Sequence, residues 1–564
     1  MRKHTVLLIA VIAILGFASQ AEAFQVGETV SFIIDAEYDI SSRQELQAQL
    51  AKISEHLAIY VEKSWWDQQT LFRQQQLLGS LNILSLEFES KTYPLLTSAY
   101  GSEWKPGVDG DEHVTALLHE MKTGVNGYFR TGDEYLKLQL PESNEREMVY
   151  LSLGSVEGPY GKSLLAHEFT HLITFNQKEK KFGVSEETWL NEMRAEYAPT
   201  FLGYNIPYEG SYLQARVQDF LKSPSDSLTE WRGQESDYGV ATLFTHYLVD
   251  QYGMGVLIDS LHSEKIGIAS LDEALLKNGF TEDFATMFSD WTLAVTLNDC
   301  SYGKRYCYLT KSLEGLRLYP TTNFLPLAGE SMLSLSNVTK SWSGNWYRFI
   351  GGQGSLTLEF SSLKGLNFKV PYLIQNSDRT LSLQSLSLSA SQTGKIMVPE
   401  FGTQHTALIL VPSLQSRLSG FNGIEPAFTY SIKVSIKEEV PKNTEELMAT
   451  LLSQIAQLQA EVARLRTQLK DPSSVSRTCS ISESISMGSK GPQVQCLQEI
   501  LKKEGSGIYP EGLVTGYFGS LTRQAVVRFQ EKYSSEILFP LGLSQGTGFV
   551  GFSTRSKLNQ FAGY

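Results

Sequence analysis

The sequence predicts a multidomain protein: an α+β unit, then an all-β sandwich, a short coiled coil and a small helical C-terminal domain. Three observations predict this order. The 564 residues are more than one hydrophobic core organises. The hydrophobic pattern is mixed and then mostly helical up to about residue 319, and turns to strand-like alternation beyond it. Between 443 and 470 apolar residues recur in heptads, and the block that follows contains an internal echo.

The chain begins with basic Arg2 and Lys3, an apolar run over 6–18 and the small-residue end Ala21-Glu22-Ala23. This reads as a secretory signal peptide over 1–23, cut after Ala23. An uncleaved anchor is the competing reading, although the run is short for a span of about 20 residues. A secreted or extracytoplasmic location, in the periplasm or at the cell surface, is therefore expected. Residues 24–319 form the α+β unit. Its first part, 24–153, mixes both periods, with a long amphipathic stretch over 41–86 and a strand over 147–153. Its second part, 154–319, is mostly helical, with apolar residues at three- and four-residue spacing over 238–252 and 271–297.

Alternating runs such as 354–360 and 430–436, separated by turn residues, predict a β-sandwich over 320–440. Over 443–470, Met448, Ile455, Val462 and Leu469 occupy a positions and Leu451, Leu458 and Leu465 occupy d positions. A coiled coil joining copies of the chain into a homo-oligomer is one reading, and a single amphipathic helix docked on a neighbouring domain is the other. Asp471-Pro472-Ser473-Ser474 opens a linker over 471–478. In the last block, 479–564, residues 518–526 echo 550–558 at their Gly, Thr, Arg and final apolar positions. In both copies a Gly turn leads to a Ser or Thr placed to cap a following helix.

The four cysteines fall into local pairs, Cys300 with Cys307 and Cys479 with Cys496. Export favours two disulfides over free thiols; three connectivities are possible, and the local one keeps each bond inside one domain. The formal charge of −13 excludes a nucleic-acid-binding surface, which needs a concentrated Lys/Arg excess.

The chemistry sits in His167-Glu168-Phe169-Thr170-His171. On a helix, residues four apart share a face, so both imidazoles reach one metal ion from the same side. Glu168 stands beside such an ion, where a carboxylate takes a proton from metal-bound water as general base. Catalytic zinc takes three protein ligands and keeps one place for water. Glu192, on the helical run 189–197, is the candidate third ligand. Glu196, four residues on, is either a carboxylate that orients a ligand imidazole or a solvent-exposed helix charge. Remaining histidines such as His113, His119, His246 and His262 have no such pattern and read as surface or core residues. Asp109-Gly110-Asp111 could bind Ca2+, but without the spacing of a calcium loop the plain turn reading is preferred.

The run 165–173, followed by Trp189-Leu190-Asn191-Glu192 and Ala195-Glu196-Tyr197, resembles the gluzincin zinc metallopeptidases, and within them the hyicolysin-like family. Asn126-Gly127-Tyr128-Phe129, Tyr238-Gly239, Leu243-Phe244 and Tyr247-Leu248 add to the likeness, which spans about 32–298. The resemblance implies a zincin-type catalytic domain over 24–319 and secreted protein hydrolysis by a zinc-bound water. It also implies Glu192 as a ligand, by its match to the family's Asn-Glu position, and a Tyr or His from the later helix as oxyanion donor. Tyr238 is the nominee, with His246 on the same helix.

The block 479–564 resembles the three-helix peptidoglycan-binding domain. Gly488, Gly491-Pro492, Val494, Leu497-Gln498, the run 515–519, Thr522, Ala525-Val526, Phe529-Gln530, Gly551, Thr554 and Leu558-Asn559 carry that likeness. It implies a module that tethers the enzyme to cell wall. The expected function is a secreted, wall-tethered zinc endopeptidase. The alternatives are a hydrolase of cell-wall peptides and a non-catalytic surface or adhesive protein with a structural zinc site. An architectural site is usually closed by four ligands, which argues against the last.

Overall fold

Period-two alternation in Glu45-Leu46-Gln47-Ala48-Gln49-Leu50, with every second residue buried, makes a strand where a long amphipathic stretch over 41–86 is expected from sequence. The computed structural model describes residues 25–326, 331–416, 425–437, 444–468 and 479–561, with the side chains of the 444–468 segment described over 450–464. The signal segment 1–23 and the linker 471–478 lie outside the described residues. The chain divides into two compact units, Met1–Ile455 and Ala456–Tyr564. It is a multidomain α+β protein.

The first unit opens on a six-stranded sheet: β1 (Thr29–Ile33), β2 (Glu45–Ile53), β3 (Leu57–Glu62), β4 (Val114–His119), β5 (Gly127–Phe129) and β6 (Met148–Ser152). Their spatial order is β1-β2-β3-β4-β6-β5. β3, β4 and β6 are parallel neighbours, and β5 is an antiparallel edge strand on β6. Every residue of β3, β4 and β6 is buried, as in strands covered on both faces. Alternate residues of these strands serve two cores. Ile59, Val61, Leu118, Val149 and Leu151 join the helices, while Tyr60, Leu117 and Tyr150 meet Phe32, Leu46 and Tyr128 on the other face. The 41–86 stretch continues through β3 and a short helix, Lys63–Gln68, into helix α1 (Leu71–Glu87), capped by the Thr70 side chain.

Four further helices build the site, α2 (Gly161–Phe175), α3 (Thr188–Phe201), α4 (Tyr212–Lys222) and α5 (Glu235–Tyr252), and α6 (Phe284–Leu297) packs behind them. Helix α2 is buried all round from Ser163 to Phe175, which only a helix threaded through a core tolerates. The expected helical run over 271–297 is two helices, Gly267–Lys277 and α6, interrupted at Gly279, whose φ of +84° suits glycine.

Two β layers follow. One orders Leu381–Ser385, Pro371–Asn376, His405–Leu410, Tyr347–Ile350 and Thr321–Phe324. The other orders Thr393–Phe401, Gly354–Ser362, Phe428–Lys437 and Ser331–Thr339. Among the described residues the layers are joined by one pair, Phe401 with His405, and they share a core that includes Phe349, Leu408, Leu358, Phe360, Val398 and Val434. Trp342 stacks edge-on against Phe284 and Phe288 of α6, and Trp346 Nε1 donates to Thr292 O at 2.9 Å. The β layers and the helices thus share apolar contacts.

Helix α7 (Thr444–Gln468) covers the heptads as far as Gln468, with Ile455 and Val462 exposed and Leu451 and Leu458 half-buried; Leu469 lies outside the described residues. The second unit contains α8 (Pro492–Lys503), α9 (Ser520–Lys532) and α10 (Phe552–Gln560) around Leu497, Leu501, Phe518, Phe529 and Leu558. Both disulfides are the local ones, Cys300–Cys307 and Cys479–Cys496. Among the described residues no helix is long and apolar enough to cross a membrane.

Candidate functional site

Helix α2 presents His167 and His171 on one face, with their Nε2 atoms 3.2 Å apart. Helix α3 packs against α2 and brings Glu192 to them. Its Oε2 lies 3.3 Å from His167 Nε2 and its Oε1 lies 3.7 Å from His171 Nε2. Glu192 Oε2 is buried with no hydrogen-bond partner. A buried carboxylate oxygen without a donor is costly, and two facing imidazole nitrogens bring lone pairs together; a cation relieves both. Two nitrogens and one carboxylate, all nearly buried, form the donor set that zinc takes in catalytic sites.

Glu168, the next residue on α2 after His167, stands beside the pair. One of its oxygens lies 2.7 Å from where a Cβ on Gly127 would stand, so the glycine of β5 makes room for this carboxylate at the sheet edge. The ligand atoms of His167, Glu168 and His171 lie within 4.8 Å of one another.

The outer nitrogens of both rings face acceptors. His171 Nδ1 is 3.1 Å from Asn191 Oδ1, which makes Nδ1 the donor and leaves the Nε2 lone pair inward. His167 Nδ1, which makes no hydrogen bond, is 3.4 Å from Glu196 Oε1. Glu196 is 1% exposed, so the reading as a solvent-exposed charge is excluded. Its carboxylate accepts from Tyr212 OH at 2.7 Å, Thr242 Oγ1 at 2.9 Å, and Arg216 Nε and Nη2 at 3.0 Å each. These donors come from α4 and α5. The two helices meet closely because a Cβ on Gly239 would stand 2.4 Å from Phe220 N.

Burial pushes Glu168 up to about 8; the charge of His167 opposes this, and Glu192 and Glu196 reinforce it. At His167 burial disfavours the cation, but Glu192 and then Glu168 outweigh it and carry the ring up to about 9. At His171 burial prevails and the pKa is lowered. Glu192 is lowered, because the two histidines outweigh its burial.

Tyr238, on the first turns of α5, lies under the Arg216 guanidinium, 4.3 Å from its ring, and edge-on to Trp231. Burial, then Glu192 and Glu196, raise its phenol well above the ordinary value. His246 is a core residue whose nitrogens are 2.9 Å from Thr200 Oγ1 and 2.8 Å from Thr242 O. His119 is fully buried beside Asp39 and Tyr128. Asp109 accepts from Asp111 N, and Asp111 accepts from His113 N, which are local turn bonds.

Tyr212, Arg216 and Thr242 were not singled out from sequence, and Asn191 was named there only within the Asn-Glu match, without a role. Asn191 had a signal, as the neighbour of Glu192; Arg216 had none, because its partner is 20 residues away on another helix. Tyr38, on the loop between β1 and β2, was also missed. Its phenol is raised by burial, then by Glu37, Asp35, Glu192 and Glu168.

In the second unit the internal echo is a repeat of side-chain function. Gln498 Nε2 donates to Tyr517 O at 2.9 Å and Thr522 Oγ1 at 2.9 Å. Gln530 Nε2 donates to Phe549 O at 2.8 Å and Thr554 Oγ1 at 3.0 Å. The capping expectation is corrected: the N-caps are Gly519 and Gly551, without side-chain cap bonds. Thr522 and Thr554 turn inward to the glutamines instead, because the buried amides need acceptors.

Residues 490–536 match the peptidoglycan binding domain family. No curated protein matches the chain. Solved structures with some likeness include PliG, a periplasmic inhibitor of g-type lysozyme from Aeromonas hydrophila, at 14% identity over 21% of this chain and 96% of that one, with a TM-score of 0.15. Another is the pre-peptidase C-terminal domain of a collagenase from Bacillus anthracis, at 11% identity over 21% and 96%, with a TM-score of 0.14. Likenesses at these scores carry no functional argument.

Proposed function

We propose that this chain is an extracytoplasmic zinc-dependent endopeptidase held at the cell wall by its C-terminal domain. The observation that carries the reading is the convergence of His167, His171 and Glu192, with a donorless Glu192 oxygen, next to the buried carboxylate of Glu168. Zinc held by those three residues would supply Lewis acidity, polarising a peptide carbonyl and easing deprotonation of water. Glu168 takes the proton from the attacking water and returns it to the leaving amine nitrogen. Glu196 and Asn191 hold the imidazoles in orientation through their Nδ1 atoms. Tyr238 offers a phenol donor to the oxyanion. The edge strand β5 can pair with an extended substrate, whose scissile bond then lies over Glu168.

The match at 490–536 supports wall association, and it favours a second reading in which the substrates are the peptide cross-bridges of the wall itself. Incubating the full chain with casein and with purified sacculi, before and after chelation, tests both. Proteolysis of casein that stops with chelator and returns with zinc is expected; release of peptides from sacculi favours the second reading. Inertness of the zinc-loaded chain toward both substrates would sink the proposal.

A further inference from the structure

The two copies of the C-terminal repeat are related by a constant offset of 32 residues, from Gln498 to Gln530 and from Thr522 to Thr554. Their internal bonding is the same, but their surfaces differ. In the first copy α8 begins only at Pro492, and the preceding segment is a loop whose Gly491 N donates to Gly516 O at 2.9 Å. Between this loop and the 515–517 turn lies a cleft of about 660 Å³. Gly488 and Gly491 leave it open, and Lys490, Gln495, Thr515 and Tyr517 line it. Tyr517 is 48% exposed, and Lys490 Nζ is 5.6 Å from its ring centroid.

In the second copy α9 begins at Ser520, so the residues equivalent to Gly488 and Gly491, Ser520 and Arg523, form its first helical turn. Arg523 Cγ lies 2.6 Å from where a Cβ on Gly548 would stand, and Val527 takes the place of Gln495 beside it. Arg523 Nη2 donates to Thr547 O at 3.4 Å. The equivalent space is filled.

We infer that the Lys490–Tyr517 cleft is the ligand subsite of this domain, and that it takes an N-acetylated sugar of a glycan strand together with a carboxylate of the peptide stem that the sugar carries, as in peptidoglycan. An exposed aromatic ring is a platform for the apolar face of a pyranose. The Lys490 ammonium supplies a charge-assisted bond to a carboxylate. The Gln495 amide and Thr515 hydroxyl can satisfy an N-acetyl group. Phe549, the counterpart of Tyr517, is equally exposed at 48%, but Arg523 and Val527 crowd the turn beside it. This inference rests on the wall-binding half of the proposed function.

The test is co-sedimentation of the full chain with purified sacculi and, in parallel, with chitin, which has N-acetyl groups but no carboxylate. The variants are Tyr517→Ala, Lys490→Gln and the second-copy control Phe549→Ala, each checked by thermal melting. Tyr517→Ala and Lys490→Gln are expected to raise the half-saturating sacculus concentration roughly tenfold each. Phe549→Ala should stay at the wild-type value, and Lys490→Gln should leave chitin binding unchanged. Wild-type binding to sacculi that survives Tyr517→Ala or Lys490→Gln, or that Phe549→Ala weakens equally, overturns the assignment of the cleft alone. Failure of the wild-type chain to sediment with sacculi overturns the wall-binding reading itself.

Discussion

Removing Glu196 separates its two roles. The carboxylate accepts four hydrogen bonds, two of them from Arg216, and faces His167 Nδ1. Truncation by Glu196→Ala leaves a largely buried guanidinium with only Asp219 Oδ2, 3.4 Å from its Nη1, as a charged partner, and breaking such a buried pair costs up to about 3–5 kcal/mol. For a unit of this size that lowers the melting temperature by roughly 3–6 °C. It also leaves the His167 Nδ1–H without its carboxylate, which weakens metal affinity about 10–100-fold. Adding Arg216→Met removes the stranded charge and replaces it with an apolar chain of similar reach. The double variant is expected to regain most of the melting temperature but none of the zinc affinity. Calorimetry and competition with a fluorescent zinc chelator measure the two quantities separately. A double variant that binds zinc as tightly as wild type would refute the positioning role of Glu196.

Glu147, 3% exposed, is raised to about 7 by burial and the nearby Asp109, against the Val108 N–H that its carboxylate accepts at 2.8 Å. An acid whose folded pKa exceeds its unfolded value gives stability that is full below about 4.5 and is lost as pH rises through about 7, here on the order of 3 kcal/mol. Glu147→Gln keeps an acceptor for Val108, so its advantage in melting temperature over wild type should grow from pH 5 to pH 8; a constant difference would contradict this. At Gly239, a methyl group meets the Phe220 backbone, so Gly239→Ala should part α4 from α5 at a cost of about 1–3 kcal/mol and weaken zinc binding, both read from melts and zinc titration.

The metal-site candidates were legible because their signal is local. His167 and His171 are one helical turn apart, and Glu192 and Glu196 are another such pair on one helix face, so periodicity alone aligns them. The cradle around Glu196 was not legible. Arg216 and Thr242 reach it from helices 20 and 46 residues away, and only the close approach at Gly239 brings them in. The 41–86 stretch misled because Glu45 to Leu50 alternates at period two while Leu71 to Glu87 runs at the helical period, and the two merge into one amphipathic run. In the C-terminal repeat Thr522 and Thr554 lie in the first turns of α9 and α10, three residues past the Gly N-caps, and the demand of two buried glutamines claims them.

The most direct test is a zinc isotherm paired with casein turnover on wild type and Glu168→Gln. The central claim predicts that the variant binds one zinc with affinity within about threefold of wild type while turnover falls by at least about a thousandfold. Wild-type turnover by the variant would contradict it, as would zinc binding that survives His171→Ala and Glu192→Ala but not Glu168→Gln.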